Sequence, residues 1–128
     1  MLTAAELFEA ASAEARAHGV ADLEMTVVRQ RAALTRFANN AIHQNVAEES
    51  AGVSVRPQIG LRTARATTNR RDPDAIRAVV REAISLMRVQ EDNPQLIEMA
   101  SPEAVIAVDR WDQATADCTP GKRAEAVA

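Results

Sequence analysis

The sequence predicts an α+β fold: an antiparallel sheet of about three to five strands, packed on one face by two helices at about residues 3–18 and 73–89, with a truncated third helix from about 120. Three observations predict it. Both helical stretches carry apolar side chains at steps of three and four behind proper N-caps. The residues between them alternate apolar and polar side chains with a period of two, the mark of a strand with one buried face. Asn39-Asn40 and Gly60 stand where that alternation must reverse.

Thr3 is the expected N-cap of the first helix and Glu6 stands three residues later, which makes a capping box. Leu2 and Leu7 flank it as a hydrophobic staple. Leu7, Ala11, Ala15 and His18 follow at helical spacing, with Ala4 and Phe8 alongside. Gly19 suits the left-handed position after the helix, and Val20 closes the cap.

Leu23–Arg31 and Leu34–Phe37 read as strands, or as one continuous strand. Val27-Val28 breaks the phase and suggests a bulge. Asn39-Asn40 tolerates left-handed backbone and is the expected tight turn. Ile42–Val55 follows, with a bend expected near Glu48–Gly52, and Pro57 belongs at a strand end or edge because it has no N–H to donate. Gly60 turns the chain into a last strand, Leu61–Thr68.

Asp72, Pro73 and Asp74 form a strong helix start. Ile76, Val79, Val80, Ala83, Ile84 and Met87 then mark one apolar stripe, while Arg77, Arg81, Glu82, Ser85 and Arg88 face away. Glu91-Asp92-Asn93-Pro94 reads as a linker, Gln95–Met99 as a short turn, Val105–Val108 as an extended piece and Asp109–Cys118 as a loop around Trp111. Thr119-Pro120 caps a helix expected from Gly121 to Ala128. A well-capped helix that stops so soon gives the expectation of the N-terminal part of a longer protein. Residues 1–90 are expected to form the α+β domain, and 91–128 a linker and the start of a further helix.

Composition bounds the function. Apolar residues make up 47% of the 128, but 27 of them are alanine and aromatics are only 2%, so the core is thin and would gain from docking on something else. Residues 1–22 carry net −3, residues 23–71 net +5 and residues 72–128 net −5. A basic sheet thus lies between acidic helices. Cys118 is the only cysteine, so no intrachain disulfide can form. No run approaches the ~18 apolar residues of a membrane span. No signal-peptide pattern opens the chain, and a cytoplasmic location is expected.

The residues carry no recognisable reactive centre. His18 and His43 fall in different elements and form no zinc-binding helical pair. Cys118 has no neighbouring histidine in sequence. The four glycines make no phosphate loop, and adjacent Glu48 and Glu49 point to opposite faces of a strand. Base stacking on the sheet would need aromatics there, and only Phe37 is available, which is expected in the core.

The run Arg36-Phe37-Ala38-Asn39-Asn40-Ala41-Ile42-His43-Gln44-Asn45 resembles the signature of the N-terminal domain of the TldD/PmbA family, also called modulators of DNA gyrase. Gly52–Arg56, Thr67-Thr68-Asn69, Asp72-Pro73, Asp92-Asn93-Pro94 and Trp111–Thr115 are similar to segments that follow in that family. The likeness covers residues ~20–128 in order. It departs at Ala64, where glycine is usual, and at Gly60, which is displaced by one.

The resemblance implies a mixed α/β N-terminal domain joined to a larger β-rich peptidase-like domain, which this chain lacks. In the TldD type that second domain holds an HExxxH zinc site. The TldE/PmbA type lacks the motif and pairs with the TldD type to cleave small or unfolded peptides, with roles in antitoxin turnover and microcin maturation. The texture of the signature is closer to the TldE/PmbA type. The implied role is a scaffold that docks a TldD- or TldE-like subunit as a homo- or heterodimer and meets peptide in the full complex. No cofactor is expected in this chain, and neither nucleic acid nor membrane as a partner. Candidate peptide or partner contacts are Arg36, Phe37, Asn39, Asn40, His43, Asn45, Arg56 and Asn69. The alternative is a stand-alone module for an acidic protein or nucleic acid, using Arg29, Arg31, Arg36, Arg62 and Arg65.

Overall fold

The computed structural model describes residues 3–127. In chain order the elements are α1 (Ala4–Ala17), β1 (Asp22–Ala38), β2 (Ala41–Ile59), β3 (Arg62–Thr63), β4 (Ala66–Thr68), α2 (Pro73–Arg88), α3 (Gln113–Ala116) and α4 (Pro120–Glu125). β2 is the central strand, with β1 on one side and β3 and β4 on the other. The chain divides into two units, Met1–Arg29 with Ser50–Ser101 and Gln30–Glu49 with Pro102–Ala128.

In the first unit, α1 starts where the capping box places it. Thr3 Oγ1 accepts from the Glu6 N–H at 3.2 Å, and the Glu6 carboxylate accepts from the Thr3 N–H at 2.7 Å. The expected Leu2–Leu7 staple lies outside the described residues. The helix ends in a Schellman motif: Val20 N–H reaches Ala15 O at 2.9 Å and Gly19 N–H reaches Arg16 O at 3.0 Å. Gly19 has φ +76°, which only glycine adopts without strain. Leu7, Ala11 and Ala15 are buried, whereas Phe8 and Ala4 stay exposed, so the stripe is narrower than the spacing suggested. Two of its three buried residues are alanines, which lets α2 approach closely.

α2 begins at Asp72, whose carboxylate accepts from the Ala75 N–H at 2.9 Å. Its whole predicted stripe is buried, Ile76 through Met87. Glu14 of α1 takes Arg81 of α2 at 2.9 Å, and Arg88 donates to His18 O at 2.9 Å. These contacts advance together along both helices, so α1 and α2 run parallel. Under them lie Val53 and Val55 of β2 and Ala66 of β4, with Leu23, Met25 and Val27 of β1 packed against the same cluster.

Of the two readings of Leu23–Phe37, the single continuous strand holds: it is β1. β2 keeps strand geometry through Glu48–Gly52. The expectation for the last strand needs correction. The last strand, expected as Leu61–Thr68, is split at Ala64-Arg65 into β3 and β4. The cause lies across the ladder. Gln58 pairs with Thr63 and Val55 with Ala66, so the register is unchanged across the gap and sets Pro57 opposite Ala64. Pro57 has no N–H to give, and the ladder lapses where its bond would be. Pro57 itself is buried inside β2, two residues short of its end, not on an edge. Gly60, at φ +54°, makes the turn into β3, with Ile59 facing Arg62.

In the second unit, β1 and β2 continue as a hairpin closed by Asn39 and Asn40, at φ +51° and +58°. Two successive left-handed residues are the pattern of a type I′ turn. Alternation in this part marks strands but not a buried face: Leu34 is 49% exposed, Ile42 48% and Val46 38%. The reason is a missing cover. α3 and α4 have four and six residues and bury none of their side chains. Phe37, expected in the core, is only half-buried. The loop expected around Trp111 contains α3, capped by Asp112, whose carboxylate accepts from the Thr115 N–H at 2.6 Å. Val105–Val108 forms no strand and is exposed. α4 starts at its Thr119 cap as expected and ends at Glu125, short of the Ala128 that the sequence suggested.

Ile84→Ala should cost about 2–5 kcal/mol by opening a cavity under α2. Leu34→Ala, in the uncovered hairpin, should cost less than about 1 kcal/mol. Urea unfolding of both variants checks the contrast.

Candidate functional site

The alternation that buries Val53 and Val55 turns Ser54 and Arg56 to the opposite face of the sheet. Ser54 pairs with Thr67 across the ladder. Glu24 of β1 closes a charged cluster on this outer face. Its two oxygens take Arg56 Nη2 at 2.8 Å and Nε at 3.2 Å, a bidentate pair. Arg65 Nη2 donates to the same carboxylate at 2.8 Å, and Arg65 Nη1 donates to Ser54 Oγ at 2.7 Å. The hydrogen bonds from Arg56, then the one from Arg65, hold Glu24 down from 4.5 to about 2. One carboxylate against two guanidiniums leaves this cluster with a net charge of +1.

Next to it lies an open depression of about 510 Å³, lined by Thr26, Val28, Gly52, Val53, Ser54, Thr67, Thr68 and Asn69. It contains two of the sequence segments singled out above, Gly52–Arg56 in part and Thr67-Thr68-Asn69.

In the second unit the hairpin and α4 meet through Arg123. Its Nε donates to Thr35 Oγ1 at 3.0 Å, its Nη2 to Asn45 Oδ1 at 3.4 Å, and its Nη1 to Cys118 O. Thr35 Oγ1 in turn donates to Asn45 Oδ1 at 2.9 Å. Asn45 is thereby a structural acceptor. Arg36, Asn39, Asn40 and His43 are exposed on the hairpin, and Phe37 is half-buried beside them.

The candidate residues therefore fall into two groups. Arg36, Phe37, Asn39, Asn40, His43 and Asn45 share the hairpin of the second unit, while Arg56 and Asn69 belong to the outer sheet face of the first. Of the arginines in the alternative reading, Arg62 pairs with Asp92 at 2.6 Å and Arg65 with Glu24 at 2.8 Å, so both are already engaged. Sequence reasoning missed Glu24, Thr35 and Arg123. Glu24 had a signal, as one of only three acids in a segment with eight arginines. Arg123 had none, since its partners lie 78 and 88 residues away.

Among the described residues no three His, Cys, Asp or Glu side chains come together as a ligand set for a metal. His18 sits at the end of α1, bonded to Glu14 at 3.1 Å, and His43 lies in β2.

The family profile described as PmbA/TldA metallopeptidase domain 1 matches residues 24–86. Among solved structures, the chain is similar to TldE from Thermococcus kodakarensis, with 15% identity and a TM-score of 0.69 over 77% of this chain and 22% of that one. It is also similar to a candidate modulator of a DNA gyrase from Thermotoga maritima, with 20% identity and a TM-score of 0.59 over 84% of this chain and 24% of that one. The chain thus spans less than a quarter of either relative's length. No curated protein sequence matches it significantly.

Two outcomes are expected from the site geometry. Glu24 is lower in the folded chain than when unfolded, so its stabilising share is full above pH 4.5 and is lost as pH falls toward about 2. Glu24→Gln should flatten that part of the acid-unfolding curve relative to the parent. Separately, Arg123→Ala should speed hydrogen exchange of the α4 amides, measured by mass spectrometry, without changing that of α2.

Proposed function

Since the chain carries a first domain of the PmbA/TldD family, we propose that it is the N-terminal scaffold of the non-catalytic, TldE/PmbA-like half of a cytoplasmic peptide-degrading assembly, and that it docks a TldD-like subunit. The peptidase-like domain and its zinc lie outside this chain in the proposal. One observation carries the docking role. The hairpin of the second unit leaves Leu34, Ile42 and Val46 half-exposed, every residue from 41 to 50 is exposed, and β1 is an edge strand of 17 residues. An uncovered strand edge with apolar side chains is a surface that a partner covers, by strand addition or by face packing. Arg36, Asn39, Asn40 and His43 supply the polar rim of such a contact, and the extended edge suits a peptide held by its main chain.

The full-length protein carrying Leu34→Lys and Ile42→Lys should fold, because both sites are half in water, yet fail to co-elute with its TldD-like subunit in size-exclusion chromatography. Co-elution of the variant at the parent's level would exclude the hairpin as the docking surface. Peptide cleavage at enzyme-like rates by residues 1–128 with added zinc would overturn the non-catalytic assignment.

A further inference from the structure

The outer face of the first unit's sheet is not used by the docking role, and its chemistry is one-sided. Ser54 Oγ accepts from Arg65. A hydroxyl that is already accepting has its own hydrogen left to donate. Thr26 and Thr67 add two more hydroxyls and Asn69 an amide NH₂, all on the lining of the same depression. No carboxylate lines it. The one acid nearby, Glu24, is saturated by two guanidiniums, so the neighbourhood keeps a charge of +1. Donors from three strands thus surround an opening of about 510 Å³, within the range of small-molecule sites.

We infer that this depression binds the phosphate group of a small phosphorylated molecule. Three hydroxyls and an amide spread over β1, β2 and the β4 end suit a group with three acceptor oxygens better than a carboxylate with two. Arg65 supplies the charge and holds Ser54 in its donating orientation. Gly52 keeps the floor open: a Cβ there would meet nothing within 4 Å, and the residue needs no left-handed backbone. A side chain placed at position 52 therefore fills the site without disturbing the strand.

The test is a proton–nitrogen NMR titration of the 128-residue chain with inorganic phosphate at neutral pH and fixed ionic strength, with chloride and acetate as the other arms. Saturating millimolar shifts are expected for the amides of Gly52, Ser54, Thr67, Thr68 and Asn69, with phosphate only. Glu24→Gln leaves both guanidiniums without their carboxylate and should tighten binding about two- to five-fold. Gly52→Glu should abolish it, and Thr67→Val, which keeps a strand-favouring side chain, should weaken it. Shifts that do not saturate, that scatter over the other arginines, or that acetate reproduces would overturn the inference. So would a Glu24→Gln chain that binds no tighter than the parent.

Discussion

The structure of the first unit depends on one apolar contact, the face of β2 at Val53 and Val55 pressed under the stripe of α2 from Ile76 to Met87. That contact fixes the phase of β2, because a slip of one residue would expose the valines and bury Ser54 and Arg56. Once the phase is set, the outer face follows without further instruction. Ser54 and Arg56 must point away from α2, and Glu24 and Arg65 meet them there. The polar face is the obligatory reverse of the core.

Much of this was legible because it is local. The Thr3–Glu6 box, the Gly19 cap and the Asp72-Pro73 start each need only a few neighbouring residues, and the two helices formed where those signals stand. The Asn39-Asn40 turn is equally local. The split between β3 and β4 was not legible, since it comes from a proline on the facing strand and shows only once the register is known. Alternation in Ile42–Val46 gave the strand correctly and its burial wrongly. A period of two states which side chains share a face, but only a covering element buries that face.

The same division holds for the sites. Asn45 belonged to the signature, yet its bonds to Thr35 and Arg123 come from tertiary contact alone. The outer depression combines Gly52, Ser54 and Thr67–Asn69, two segments that the sequence set apart and the ladder puts side by side. The basic balance of residues 23–71 was visible, but how it is spent was not: Arg62 and Arg65 are committed to Asp92 and Glu24.

The lapse opposite Pro57 has a bearing on Arg65. A residue locked between two ladder bonds has its Cα direction dictated by the pleat. Arg65 sits in the one stretch of the return path where that dictation is relaxed, and it is the residue that reaches over β2 to a carboxylate on β1. An imino acid on the central strand thus grants a neighbour the latitude to bridge three strands with one side chain.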